Sequence, residues 1–409
     1  MLCSLAAKLL GVAYMNRYLS WNLAAPDTVG VYRPLGISLA NGSGYRLHGD
    51  FADATRVAPG FPAYLASVYR LFGTDVPVPV LGGLNAVLRS LTTFLVYVLA
   101  LRAFGPSTAF FAAAVHAIDP WEAFWSAFVL KESLAVLLAM AAIVVMAGAI
   151  ERRSPAAGFG AGVLIALAGL TRYASIGLLP WALALIGARA VSRRVDWGDA
   201  ARIAAALTLG ALIGLAPWLI RNRSTIGAAV VYAQPGYYLW VSNGPGTEKT
   251  IDTWGYSGLS TPDPSAARVI AGTHHGVIDR DRAFFIAALS HMLARPFDVA
   301  LLAAGRFVNM WRPTFAGASR ANLSILGGWS TLFAIAVIAG FVLSLRTAPV
   351  SRDSLWIVYG FVLFYFVLHA AFWSEIRYRQ YVTPLMCVFA GLAVRRALTF
   401  STTLEPRNT

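Results

Sequence analysis

Apolar runs of about 18–20 residues, the length needed to cross a hydrocarbon core, recur along this chain, separated by short arginine-bearing connections and two long polar stretches. They predict spanning helices over 83–104, 106–120, 132–150, 157–171, 174–190, 201–219, 323–345, 354–372 and 381–397. A weaker first span covers 2–23, interrupted by Lys8, Asn16 and Arg17 and read as trimmed at its start or divergent. The polar stretches run from Ala24 to Gly82 and from Ile220 to Ala321. In the first, "YRPLGISLANGSGY" predicts a short helix ending in a glycine turn. "APGFPAYLASVYRLFG" predicts an amphipathic helix lying in the interface, with Tyr64 and Tyr69 at headgroup level. Pro217 and Trp218 are expected to end a span, with Arg221 and Arg223 emerging beyond it. The Gly- and Tyr-rich run to Asn243 reads as short extended segments. A helix then starts near Asp279, breaks at Pro296 and resumes to Trp311. The fold class is an all-α polytopic membrane protein of about ten transmembrane helices. Residues 1–397 make one integral membrane domain with extracytoplasmic segments 24–82 and 220–321, and 398–409 make a short cytoplasmic tail.

Composition agrees with that class. Hydrophobic residues make up 58% of the chain and charged ones 13%, against about 25% charged in soluble domains. The formal net charge of +14 has no separate basic domain to hold it. It therefore speaks for cytoplasmic anchoring and anionic membrane lipids, and not for nucleic acid. Cys3 and Cys387 both lie in apolar stretches, so no disulfide framework is implied. The first run lacks the basic start and small-residue site of a cleavable signal.

Charge also orients the chain. With a cytoplasmic N-terminus, "LRAFG", "ERRSP", "ARAVSRRVDWGDAAR", "LRTAPVSRD" and the tail from Arg395 all fall inside, as the positive-inside rule requires. Both polar stretches and the hairpin "WSEIRYRQYVT" then face outward, in what is expected to be a bacterial plasma membrane.

Candidate chemistry gathers on that outer face. Lys131, Arg172, Arg377 and Arg379 stand beside aromatics at the outer ends of spans, in "DPWEAFWSAFVLKES", "GLTRYASIG" and the hairpin. Snorkelling explains any one of them, but four where cations are disfavoured point to an anion bound from the outer leaflet. Asp27 follows the first span, and its position alone reads as a helix cap or solvated loop acid. "DRD" at 279–281 resembles a metal-and-nucleotide-sugar motif, yet Asp279 and Asp281 fit better as N-cap and first-turn acids. There is no P-loop, dinucleotide fingerprint or Cys/His spacing. No cofactor is identified, and no ligand cluster supports a divalent metal. No acid sits mid-span, and the spans read as polar only at their outer ends, against a transporter's through-path.

The stretches "ATRVAPGFPAYLASVYRLFG", "LKESLAVLLAMAAIVV", "AGVLIALAGLTRYAS", "APWLIRNRSTIG", "YYLWVSNGPG" and "IRYRQYVTPLMCVFAGLAV" resemble, in order over nearly the whole chain, the GT-C type glycosyltransferases. The resemblance is to the group holding protein O-mannosyltransferases and bacterial lipid A aminoarabinose transferases. It implies an inverting transfer from a polyprenyl-phosphate-linked sugar to a protein, lipid or glycan acceptor at the outer face. It implies Asp27 as the base that deprotonates the acceptor. Arg377 and Arg379 match the family's R-Y-R motif around Tyr378, Arg172 its L-T-R motif, and Lys131–Glu132 its acid-bearing span start. Tyr32, Arg56, Tyr173 and Arg221 complete the expected binding set. The family's acid is usually followed by tyrosine four residues on, whereas Tyr32 lies five beyond Asp27, which leaves Asp50 and Asp53 as alternatives. A flippase of lipid-linked sugars is the competing function.

Overall fold

The apolar runs form helices, and proline, glycine and arginine at their junctions set where each one stops. The structure, a computed structural model, describes residues 1–18, 28–47, 55, 57–247, 268, 272, 276–314, 320, 323–372 and 374–403. Its helices are α1 (Leu2–Tyr18), α2 (Arg33–Ala40), α3 (Gly60–Phe72), α4 (Val78–Phe104), α5 (Pro106–Ile118), α6 (Pro120–Ser126), α7 (Glu132–Glu151), α8 (Pro155–Thr171), α9 (Leu178–Val191) and α10 (Trp197–Ile226). They continue with α11 (Pro235–Asn243), α12 (Val277–Ala294), α13 (Pro296–Met310), α14 (Gly328–Arg346), α15 (Arg352–Ala371) and α16 (Thr383–Thr403). Short 3₁₀ turns occupy Tyr173–Gly177 and Ile376–Tyr381. Proline opens α5, α6, α8, α11 and α13, where its missing N–H costs nothing. No strand forms among the described residues.

The chain is an integral, multi-pass membrane protein. Among the described residues six helical segments are long and apolar enough to cross a membrane, and α12 with α13 make a pair bent by 104°, a broken span or re-entrant loop. The other expected crossings fall on helices that are shorter or carry more charge. At 13 and 17 residues, α5 and α8 extend only about 20 and 26 Å. Lys8 interrupts α1, and Arg395 and Arg396 interrupt α16.

One end of the bundle gathers the connections predicted to be cytoplasmic. Arg102 pairs with Glu151 (3.0 Å), Arg189 with Asp353 (2.6 Å) and Arg153 with Asp199 (3.6 Å). Ser351 and Ser354 both donate to Glu151. Above this layer the interior is apolar, built on Val96, Leu99, Ala100, Met140, Ile143, Ile165, Ile357 and Val388. Small residues let helices touch there. A Cβ on Gly162 of α8 would collide with the Leu207 carbonyl of α10, and one on Gly340 of α14 with the Phe389 carbonyl of α16.

Three local expectations are corrected. Pro217 does not end its helix: α10 runs through it to Ile226, where Gly227 takes a left-handed conformation (φ 76°). Trp218 Nε1–H donating to the Val231 carbonyl and Asn222 Nδ2–H to that of Val230 hold this last part in place. The tyrosine run before Asn243 is the helix α11 and not extended segments, because nothing between Pro235 and Gly244 interrupts it. Asp281 does not serve its own helix. It accepts the Gly236 and Tyr237 N–H groups (3.1 and 2.8 Å), closing the start of α11 from α12.

Candidate functional site

A 3₁₀ helix turns once in three residues, so positions two apart face different ways. In Ile376–Tyr381 this sends Arg377 and Arg379 to opposite sides of the turn, and the "RYR" hairpin serves two neighbouring environments.

On one side Arg377 pairs with Glu375 (2.7 Å) and lies over the Tyr378 ring (5.3 Å). Arg172, at the end of α8, packs between Tyr378 (4.1 Å) and Tyr381 (4.5 Å) and reaches the buried Glu132 at the start of α7 (3.4 Å). Lys131 sits over the Tyr32 ring (5.5 Å), and Tyr32 is buried edge-on against Phe61 (5.3 Å). Burial alone would lower the Arg377 guanidinium, but Tyr378, Glu132 and Glu375 outweigh it and keep it firmly charged. Three helix ends and the 3₁₀ turn thus bring together Tyr32, Lys131, Glu132, Arg172, Arg377 and Tyr378.

On the other side Arg379, 7% exposed, stacks on Trp121 (4.2 Å) and donates to the Arg312 carbonyl (3.0 Å) and Ser330 Oγ (3.2 Å). Burial lowers its pKa to about 10, with Asp119 opposing the shift. It stands at the polar head of a cavity of about 330 Å³. Asp119, Glu122, Ser330, Gln380 and Thr383 share that head with it, and Trp121, Trp125, Phe307, Trp311, Phe333, Val337 and Ile338 form the apolar walls. Along α14 the lining runs from Ser330 to Ile338, about 12 Å. It ends on the outer apolar surface of α14, where Leu332, Ile335 and Ile338 are all more than half exposed. Ile338 belongs to both, so the cavity is a groove that opens on this exposed apolar face of α14.

A buried polar network unites the two sides. Arg89 of α4 donates to Glu122 (2.8 Å), to Ser133 of α7 (3.0 Å) and to Gln380 in the 3₁₀ turn. Beneath it, His116 meets Thr93 (2.8 Å), and Lys8 donates to Ser4 (2.7 Å) and the His116 carbonyl (3.4 Å). Burial would raise the Glu122 carboxyl, but Arg89, then His116 and Lys8, outweigh it and hold it below the usual range. The spans are thus not polar only at their outer ends, as expected: Arg89 lies well inside α4.

Of the remaining expected residues, Tyr173 stacks on Tyr232 (4.2 Å). Arg221 lies over Trp218 (4.9 Å) and donates to the Tyr45 carbonyl (3.3 Å), tying α10 to the segment after α2. Asp27, Arg56, Asp50 and Asp53 lie outside the described residues. Among the described residues no group of His, Cys, Asp and Glu is placed to hold a metal. Sequence reasoning passed over Arg89, Asp119 and Glu122. A lone arginine inside an apolar run was the available signal, since such residues mark functional interiors.

Residues 56–220 match the family model described as dolichyl-phosphate-mannose-protein mannosyltransferase. Among solved structures, the archaeal oligosaccharyltransferase AglB from Archaeoglobus fulgidus, in complex with an inhibitory peptide and a dolichol-phosphate, superposes at TM-score 0.53 with 16% identity over 100% of this chain. The apo oligosaccharyltransferase of the same organism gives 0.54 and 17% over 100% of the chain, and its complex with zinc and sulfate 0.54 and 17% over 99%. This chain spans about half the length of those proteins, covering 52%, 52% and 51% of them. At such identities what is shared is the fold, which is of the GT-C type. No curated protein sequence matches the chain.

Proposed function

We propose that this chain is a glycosyltransferase that moves a sugar from a polyprenyl-phosphate donor to an acceptor hydroxyl on the extracytoplasmic face. The observation that carries the reading is the groove beside α14: apolar along its length, open on that helix's exposed apolar face, and closed at its polar head by Arg379. An isoprenoid phosphate has that shape and polarity. The mannosyltransferase family match over 56–220, and a fold shared with a protein solved with dolichol-phosphate, support the same donor class.

In this reading the tail lies along Phe333, Val337 and Ile338 and the phosphate rests on Arg379. The basic cluster of Lys131, Arg172 and Arg377 across the turn faces the sugar and its leaving oxygen. The acceptor oxygen attacks the anomeric carbon with inversion while its proton passes to Asp27. The anomeric C–O bond breaks, and its electron pair goes to the phosphate oxygen. The arginines then act where charge develops, and a base at Asp27 contributes on the order of 10²–10⁴-fold. A flippase needs a polar route to the cytoplasmic end. The apolar interior of Val96, Leu99, Ala100 and Met140 below Arg89 favours the transferase.

Reconstituting the full chain in proteoliposomes with extracted polyprenyl-phosphate sugars tests this, with released polyprenyl phosphate read by mass spectrometry. Wild type is expected to release it with an added acceptor extract, and Asp27→Asn to lose turnover by at least about 100-fold. Equal turnover in the two proteins would remove Asp27 from the reaction, and release by neither would remove the transferase.

A further inference from the structure

One buried acid at the head of the groove has no part in the transfer described above. Asp119 is 3% exposed and lines the cavity beside Arg379. Its Oδ1 accepts the Trp121 N–H (2.9 Å) at the start of α6; among the described residues Oδ2 has no hydrogen-bond partner. The charged and titratable groups that act on it are Glu122 from α6, Arg379 from the 3₁₀ turn, Lys8 from α1 and Cys387 from α16. Glu122 is committed to Arg89, and Arg379 already serves a carbonyl and a hydroxyl. A phosphate placed on Arg379 would therefore meet a carboxylate in the same water-poor pocket, and two anions sharing such a site do not both keep their charge.

We propose that Asp119 engages the donor in its protonated form, its free carboxyl oxygen donating a hydrogen bond to a phosphate oxygen beside Arg379. This rests on the donor reading above and gives that site a second, neutral contact. Burial, then the neighbouring Glu122, raises the Asp119 carboxyl to about 7, against the Trp121 N–H, Arg379 and Lys8. A bound phosphate raises it further. The sign follows: affinity is full below about pH 7, and above it binding takes up a proton and weakens by up to about tenfold per pH unit.

The test titrates a polyprenyl monophosphate into the purified full chain at pH 6.5, 7.5 and 8.5, using wild type, Asp119→Asn and Asp119→Ala. Asparagine caps a helix as well as aspartate, and its amide donates where the acid O–H would. Asp119→Asn is expected to bind like wild type at pH 6.5 and to be at least about fivefold tighter at pH 8.5. The lipid's own second ionisation near pH 6 is common to both proteins and cancels in the comparison. Asp119→Ala is expected to bind more weakly at pH 6.5, with no loss beyond that of Asp119→Asn as pH rises. If wild type and Asp119→Asn weaken in parallel, the proposal is wrong while the donor site stands. If none of the three binds at any pH, the donor site itself is wrong.

Discussion

Arg379 makes two directed hydrogen bonds and one stacking contact at once, a combination that a planar guanidinium supports and an ammonium does not. Arg379→Lys keeps the charge and is still expected to weaken polyprenyl phosphate binding by about tenfold or more, read from quenching of the neighbouring tryptophans. Arg89 carries the opposite kind of risk. Its pair with Glu122 is almost fully buried, so Arg89→Ala leaves a carboxylate uncompensated and is expected to cost about 3–5 kcal/mol in thermal unfolding. Arg89→Met combined with Glu122→Gln should cost less than the single change. The two arginines also differ in how visible they were in the sequence. Arg379, like Arg172 and Lys131, stands where a span ends, so its placement could be read from run lengths. Arg89 finds its partners 33, 44 and 291 residues away, and no local pattern encodes such pairings. Asp119 and Glu122 stand in "DPWEAFW" at the end of an apolar run, where nothing local marks them, and only their packing beside Arg379 and Arg89 gives them work.

At the scale of elements, helices were legible wherever an apolar run had breakers at both ends. The amphipathic α3 and the break at Pro296 follow from that logic. α10 and α11 depart from it, because the local preferences of proline and tyrosine do not decide where these two helices run. In the fold, Trp218 and Asn222 hold the helix beyond Pro217, and Asp281 closes the next one. Arg306 shows the same dependence on tertiary contacts. It donates to the Ser242 carbonyl, to Asn243 (3.0 Å) and to the Ala370 carbonyl (3.0 Å), joining the C-terminal ends of α11 and α15. Arg306→Leu should lower the unfolding midpoint and slow turnover together, because α15 leads into the segment that carries Arg377 and Arg379. At the α14–α16 crossing, Gly340→Leu has no room beside the Phe389 backbone. It is expected to broaden the purified protein's size-exclusion peak, where Gly187→Ala, which meets nothing within 4 Å, leaves the peak unchanged.

For the whole molecule, the paired loops at one end and the basic-aromatic site at the other follow the polarity that the arginine distribution predicts. Which end faces outward is testable with single cysteines in a Cys3→Ser background. Arg280→Cys on exposed α12 should react with an impermeant maleimide in intact cells, and Arg153→Cys in the α7–α8 turn only after permeabilisation. The reverse pattern would turn the proposed active site to the cytoplasm. The proposed transfer requires that the groove hold an isoprenoid phosphate. Native mass spectrometry of the full chain, purified in mild detergent from its own membranes, answers this most directly, with wild type beside Arg379→Ala and Arg377→Ala. Wild type is predicted to carry a polyprenyl phosphate or its glycosylated form. Arg379→Ala should lose it, and Arg377→Ala should hold less of the glycosylated form. Wild type free of any such lipid, even after polyprenyl phosphate is added, would contradict the account and leave these arginines as interface anchors.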